Sequence, residues 1–219
     1  MRRYFMYITA KMNRNIISVF PEASISLAFK LMREQSVRQL PVVENGKLVG
    51  MVTETLLSEV SPSKATSLSI YELNYILDKT KVADIMDKNV VTCTEDMSIE
   101  DVALLMNEKD VNMIPVVDKN HMIKGIITRN DIIASFLDIL AARGKGSRIV
   151  LIAKDRPGTL ADIGTLLKER NYNIVHILNL PTENPEESEL IIRVDTIADD
   201  SLLKLLTEKG YRIEKVEHR

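Results

Sequence analysis

Hydrophobic residues recur along the first two thirds of the chain in two helical stripes that lie 74 positions apart. In each stripe the apolar residues stand at i, i+3, i+4 and i+7: Ile25, Ala28, Phe29 and Met32 in the first, and Ile99, Val102, Ala103 and Met106 in the second. This spacing places apolar side chains on one face of a helix. Ser24 and Ser98 precede the stripes and are typical N-caps. The pattern therefore predicts two equivalent amphipathic helices.

Each predicted helix is followed by two short apolar strands. Residues 37–43 align with 111–117 at the same offset, and residues 50–53 align with 125–128 after one inserted residue. Residues 44–46 read Glu-Asn-Gly, which indicates a hairpin turn between the first pair of strands. Residues 4–20 are predicted to contain an additional strand that enters the first copy. The chain thus contains an internal repeat.

The second copy ends in a strand-to-helix turn that carries Thr128 and Asp131 three residues apart. A hydroxyl and a carboxylate at this spacing lie on one side of the turn, beside helix N-terminal N–H groups that favour anions. Such a turn can hold a ribose-phosphate. The alternative is a plain helix cap.

The two copies resemble the CBS-domain family, whose motif has an apolar-Pro-apolar-apolar strand and a closing Gly-apolar-apolar-Thr-x-x-Asp turn; two copies form a CBS pair. The resemblance implies a bound adenine nucleotide, with the ribose hydroxyls held by the carboxylate and the adenine framed by backbone near the Pro strand. By motif position, the implied residues are Thr92, Ile114, Pro115, Thr128, Arg129 and Asp131. The alternative is a pair that only dimerises.

The first copy departs from this motif. Thr53 is present, but Leu56 stands where the carboxylate is expected and cannot accept a hydroxyl hydrogen bond. We expect a weaker second site there, with Thr53 and Arg38. The alternative for Arg38 is a solvated surface side chain.

From residue 148 the pattern changes to strand, helix, strand, strand, helix, strand, which predicts a ferredoxin-like βαββαβ fold. Residues 155–160 read Asp-Arg-Pro-Gly-Thr-Leu and resemble the ACT-domain signature, as does Asn173 followed by Ile174. The resemblance implies a small effector, such as an amino acid or another metabolite, at Asp155, Gly158 and Asn173. The alternative is that these residues only form a turn, in a domain that associates with another copy and binds no effector.

The fold class expected from these patterns is α/β (α+β): tandem CBS repeats of β-β-α units followed by an ACT domain. We predict a first repeat at 1–60, a helical connector at 61–81, a second repeat at 82–143, a hinge at 144–147 and the ACT domain at 148–219. Within the connector, Ser69 and Glu72 have the spacing of a capping box.

The composition of the chain narrows the range of possible functions. The 219 residues carry a net charge of −2 and are 45% hydrophobic, with no long apolar run, so we expect a cytoplasmic protein with no nucleic-acid or membrane partner. Cys93 reads as a buried hydrophobe, and the three histidines are scattered. We therefore expect no catalytic site, no metal and no catalytic cofactor. The apolar segment 132–140 and the outward Ile191 predict a homodimer.

A CBS pair followed directly by an ACT domain resembles the acetoin-utilisation protein (AcuB) family. The resemblance implies a non-catalytic cytoplasmic sensor that binds an adenine nucleotide as a regulatory ligand and acts on an unknown regulated protein, with a link to acetoin utilisation. Two alternatives stay open: a dimerising scaffold without a ligand, and a small-molecule enzyme.

Overall fold

The structure is a computed structural model that describes residues 7–60 and 70–219. The chain divides into two compact units, of which the first ends at Ser135 and the second begins at Phe136. The predicted capping-box residue Ser69 lies outside the described residues.

The first unit contains the two repeats. The first repeat comprises α1 (Ile25–Glu34), β1 (Gln39–Glu44), β2 (Lys47–Thr53) and α2 (Glu54–Val60). Two helices follow, α3 (Ile70–Lys79) and α4 (Val82–Ile85). The second repeat comprises α5 (Ile99–Glu108), β3 (Met113–Val117), β4 (Ile123–Thr128) and α6 (Arg129–Ile139), whose last residues belong to the second unit.

Local chemistry explains these elements. The Ser24 side chain accepts a hydrogen bond from the Leu27 N–H at 3.2 Å, and Ser98 accepts one from the Asp101 N–H at 3.0 Å, so both predicted N-caps are confirmed. β1 and β2 pair in antiparallel fashion around Asn45 and Gly46, whose φ values of 51° and 80° suit a tight hairpin turn. β3 and β4 form the equivalent antiparallel pair.

The cores of the repeats are made by the predicted helix stripes and the inner faces of the strands. In the first repeat, Ile25 and Ala28 of α1 pack with Leu40 and Val52. In the second, Ile99 and Val102 of α5 are fully buried. Burial of these side chains supplies most of the stabilisation of each repeat.

The predicted N-terminal strand is wrong for the described part of its segment. Residues 7–20 instead contain a short 3-10 helix, Ile8–Ala10, and isolated bridges, one of which joins Asn13 to Ile126. The Asn13 side chain also accepts a hydrogen bond from the Asn15 N–H at 2.9 Å, and this local turn interrupts an extended ladder. The opening segment of the first repeat thus crosses to β4 of the second.

The second unit is the predicted βαββαβ fold. Its elements are β5 (Ser147–Lys154), α7 (Thr159–Glu169), β6 (Ile174–Pro181), β7 (Glu187–Val194), α8 (Asp200–Glu208) and β8 (Arg212–His218). The strand order is β6-β7-β5-β8 and every pairing is antiparallel. Leu151 and Leu190 on one sheet face pack with Ile163 of α7 and Leu202 of α8. This is the ferredoxin-like arrangement.

The last residues of the predicted hinge belong to this sheet. Gly146 and Arg219 exchange two backbone hydrogen bonds of 3.0 and 2.9 Å, and Ser147 is buried at the start of β5. Gly146 has a φ of 109°, and a Cβ there would overlap the Val194 carbonyl oxygen. A glycine is therefore required for close packing at this point rather than for a hinge.

Candidate functional site

A cleft of about 520 Å³, which we call the Thr128 cleft, lies where the end of β4 meets the opening segment of the first repeat. Thr128, Arg129 and Asn130 come from the second repeat, whereas Asn13, Asn15 and Arg38 come from the first. The bridge between Asn13 and Ile126 fixes this crossing, with reciprocal hydrogen bonds of 2.8 and 2.9 Å. Both repeats therefore build the cleft.

The turn from β4 into α6 is held by Thr128 and Asp131. The Asp131 Oδ2 atom accepts hydrogen bonds from the Thr128 N–H at 2.8 Å and from the Thr128 hydroxyl at 2.6 Å. The Asp131 N–H donates back to the Thr128 Oγ1 atom at 3.3 Å. The two bonds that Thr128 donates engage the Oδ2 atom of Asp131, whereas the Oδ1 atom takes part in none of the three bonds. The predicted helix cap is therefore present, and Asp131 itself is not among the residues that line the cleft.

The Thr128 cleft has a positive charge. Arg129 donates to the Val111 carbonyl at 3.3 Å and lies 3.5 Å from the exposed Asp110 carboxylate. Arg38 lies 3.7 Å from Glu54, with 89% of its side chain exposed. Both contacts are weak ion pairs in solvent, so both guanidinium groups remain able to bind an anion. Among the described residues that line the cleft there is no carboxylate.

A second cleft, of about 420 Å³, contains Thr53 and is called the Thr53 cleft. Here the end of β2 meets the opening of the second repeat at a bridge between Met51 and Asp87. The Thr53 Oγ1 atom accepts a hydrogen bond from the Leu56 N–H at 3.1 Å, so its turn is capped without a carboxylate. Asp87 and Asp110 are in the lining, with Lys109 as its cation. This cleft is therefore less suited to an anion than the Thr128 cleft.

Several predicted residues do not lie where the sequence suggested. Ile114 and Pro115 are in β3, every residue of which is buried, and the Pro115 carbonyl accepts a hydrogen bond from the Cys93 N–H at 3.2 Å. Asn112 and Met113, immediately before them, line both clefts instead. Ile114 and Pro115 thus line neither cleft because both residues are buried, and their predicted role at a nucleotide stays a proposal.

The structure does not place Thr92 and Arg38 in the lining of the clefts for which the sequence predicted them. The residues just before Thr92, Asn89 to Val91, line the Thr53 cleft, and Thr92 lines neither cleft. Arg38 was grouped with Thr53 but lines the Thr128 cleft. Both differences arise because the opening segment of each repeat crosses to a strand of the other repeat.

Sequence reasoning missed Asn13, Asn15 and Ile17 of the Thr128 cleft. The offset of 74 maps them onto Asp87, Asn89 and Val91, which line the Thr53 cleft. The repeat therefore carried a signal that these positions have equivalent roles.

The second unit has a cavity of about 300 Å³ at its first strand-to-helix turn. Asp155 and Gly158 line it as predicted, together with Asn179 and Ser188. Gly158 has a φ of 95°, a conformation that glycine adopts without strain. Asn173 precedes β6, six residues or about 20 Å of strand from Asn179. Within one chain, Asn173 is thus not part of this cavity.

Cys93 and Ser147 are both buried and have structural roles. Cys93 is buried, and desolvation raises the pKa of its thiol to about 12. The Ser147 Oγ atom lies 2.8 Å from His218 Nδ1 and accepts a hydrogen bond from the Ala198 N–H at 2.7 Å, but Ser147 is only 2% exposed. This serine ties β5 to β8 and cannot meet a substrate.

No helix within residues 7–60 and 70–219 is long and apolar enough to cross a bilayer.

Family models match most of the chain. The CBS domain model matches residues 8–61 and 82–138, and the ACT domain model matches residues 147–211. Inosine-5'-monophosphate dehydrogenase of Methanocaldococcus jannaschii is 34% identical in an alignment of 217 positions, which covers 93% of this chain and 40% of the relative. This chain thus spans less than half of that enzyme.

Two solved structures are similar to the first unit. CBSX2 of Arabidopsis thaliana, in complex with AMP, is 28% identical with a TM-score of 0.51, and the match covers 61% of this chain and 98% of CBSX2. A Vibrio cholerae acetoin utilization protein (AcuB) is 22% identical with a TM-score of 0.52, covering 63% and 95% of the two chains. At that identity the second likeness shows a shared fold alone. The chain belongs to the CBS-domain family and combines a CBS pair with a C-terminal ACT domain.

Proposed function

We propose that this chain is a non-catalytic regulatory protein that binds one adenine nucleotide in the Thr128 cleft. The observation that carries the proposal is the turn of Thr128 and Asp131 beside two arginines, Arg38 and Arg129, in a cleft without a lining carboxylate. The AMP in the related CBSX2 structure supports the adenine nucleotide as the ligand class.

Each part of a nucleotide has a matching group at this cleft. Asp131 does not line the cleft, but it directly follows Thr128, Arg129 and Asn130, which do. Its Oδ1 atom is proposed to accept hydrogen bonds from ribose hydroxyls at this border of the cleft, since Oδ2 is engaged in the turn. The planar guanidinium groups of Arg38 and Arg129 suit phosphate oxygens, and the N-terminus of α6 adds a favourable dipole. The amides of Asn13 and Asn15 offer donors and acceptors for the edge of a base.

Calorimetry with AMP tests the proposal, with Asp131→Asn as the variant. Asparagine keeps a side-chain oxygen for the Thr128 bonds but removes the charge, so the turn should persist while AMP affinity falls by about tenfold or more. Inorganic phosphate serves as the control ligand, since phosphate alone should bind much more weakly than AMP. If the unmodified chain binds no adenine nucleotide, the dimerising scaffold becomes the better description.

The ACT domain is proposed to bind a small polar effector, such as an amino acid, in the cavity at Asp155. The exposed Asp155 carboxylate suits an ammonium group, and Asn179 and Ser188 supply polar contacts on the neighbouring strands. The predicted role of Asn173 stays a proposal that requires a second copy of the chain to bring this residue near the cavity. A thermal-shift panel of amino acids tests the effector.

The chain is also proposed to be a cytoplasmic homodimer. Ile133 on α6 is 52% exposed, and the β6 edge strand exposes Ile174, Val175 and Leu180. Exposed apolar surface and an uncovered sheet edge both favour association. The link to acetoin utilisation and the regulated protein stay proposals drawn from the family resemblance. Growth on acetoin after deletion of the gene tests that link.

A further inference from the structure

A cavity of about 800 Å³ that runs along α1 neighbours the Thr128 cleft. Ser36, Val37 and Arg38 line both spaces, so they form a common rim. This rim is at most about 7 Å long. The two spaces therefore adjoin at this short segment, and we call the second one the α1 cavity.

The α1 cavity is basic. Beyond Arg38, its lining carries the cations Lys30 and Arg33, with Glu54 as its carboxylate. Lys30 lies 3.9 Å from Glu34 with both side chains more than half exposed, which is a weak pair. Arg33 is exposed and forms no ion pair within residues 7–60 and 70–219. These charged groups remain available to an anionic ligand.

The internal repeat provides a comparison within the same molecule. At the offset of 74, the positions of Lys30, Arg33, Ser36 and Arg38 correspond to Leu104, Asn107, Asp110 and Asn112. Ser36 and Asp110 share the same left-handed turn after their helices, with φ values of 54° and 48°. The backbone is thus repeated, whereas the basic side chains at positions 30, 33 and 38 have no basic counterpart in the second copy.

We propose that the α1 cavity is a subsite for the β- and γ-phosphates of the nucleotide, so that the chain selects di- and triphosphates over AMP. This inference rests on the proposed nucleotide site. A single phosphate is held near Arg38 and Arg129, whereas a longer chain crosses the rim and meets Lys30 and Arg33. Each further phosphate adds charge-assisted hydrogen bonds that a monophosphate does not reach.

Calorimetry on the full chain with AMP, ADP and ATP, in the absence of divalent cations, tests this selection. We expect ATP to bind the unmodified chain at least about tenfold more tightly than AMP. In the double variant Lys30→Gln/Arg33→Gln, ATP affinity should fall to the AMP level, while AMP affinity should stay within about twofold. The dependence of ATP affinity on salt should also weaken, since fewer charges contact the ligand. The single variant Arg33→Gln should have an intermediate effect.

Lys109→Gln is the matched control, because it removes one positive charge from the lining of the Thr53 cleft. It should leave the affinity of the Thr128 cleft for all three nucleotides unchanged. The inference is overturned if AMP binds as tightly as ATP, or if the double variant weakens AMP and ATP equally. Absence of binding by all three nucleotides would instead refute the proposed function itself.

Discussion

The two clefts of the CBS pair are built alike but should differ strongly in affinity for a nucleotide. At the turn that borders the Thr128 cleft, Asp131 is the proposed charged acceptor for ribose hydroxyls, whereas Leu56 occupies the corresponding position beside Thr53. A hydrogen bond to a charged group is worth about 1.5 to 3 kcal/mol. The missing carboxylate alone should therefore weaken the Thr53 cleft by roughly ten- to a hundredfold.

The charges that line the two clefts also favour nucleotide binding in the Thr128 cleft over the Thr53 cleft. Asp87 and Asp110 line the Thr53 cleft and repel a phosphate, whereas Arg38 and Arg129 line the Thr128 cleft. Calorimetry with AMP should give a stoichiometry near one per chain. Asp131→Ala should remove most of the heat, and the counterpart truncation Leu56→Ala should spare it.

The variant Leu56→Asp tests directly whether the missing carboxylate accounts for the weaker affinity of the Thr53 cleft. The Leu56 N–H already donates to the Thr53 Oγ1 atom at 3.1 Å, as the Asp131 N–H does to Thr128 at 3.3 Å, so the backbone is prepared for a carboxylate. We expect a weak second site, because the nearby aspartates remain. Leu56 is half-buried, and the new charge should lower the melting temperature of the first unit. Two equal sites in the unmodified chain, or full binding by Asp131→Ala, would refute the reasoning.

Three further predictions follow from the described contacts. Light scattering should give the mass of a dimer, and Ile133→Glu should shift it toward the monomer; a monomeric unmodified chain would contradict the proposed association. Gly146→Ala should destabilise the second unit by about 2 kcal/mol or more, because the new Cβ would overlap backbone atoms. The control Gly210→Ala has a φ of 91° but open space around it, so it should cost about 1 kcal/mol. Urea unfolding measures both losses, and equal losses would exclude the overlap as the cause. The hydroxyl of Ser201 and the N–H of Leu202 donate to Asp199 and lower the pKa of its carboxyl below the ordinary 3.8. The stability that the Asp199 carboxylate contributes is therefore present above pH 3.8 and is lost as pH falls through the lowered pKa. The difference in melting temperature between the unmodified chain and Asp199→Ala should vanish over the same pH range.

Local sequence signals predicted much of the fold because the relevant forces are local. Ser24 and Ser98 cap helices through their own neighbours, and Asn45-Gly46 forms a turn whose left-handed backbone few other residues adopt without strain. The offset of 74 revealed two equivalent repeats. These features require contacts across only a few residues.

The location of the site required information that the pattern does not contain. The offset shows that Asn13 and Asp87 are equivalent, but not that each bridges a strand of the other repeat. That pairing depends on which copy offers an open strand, which is a property of the assembled unit. Asn173 illustrates the same limit, since its motif predicted a role in the effector site but the strand direction carries it to the far end of β6 from Asn179.

The crossing of the opening segments also explains how ligand binding can act on the whole pair. In the Thr128 cleft, Asn13 and Arg38 belong to the first repeat and Thr128 to the second, so a nucleotide bound as proposed would contact both repeats. Any opening of the bridge between Asn13 and Ile126 would separate these contacts and release the ligand. By linkage, the free energy of binding then stabilises the closed arrangement of the repeats, by an amount that grows with ligand concentration above the dissociation constant. A regulatory role thus requires no catalytic group, only a surface whose exposure differs between the closed and the open arrangement.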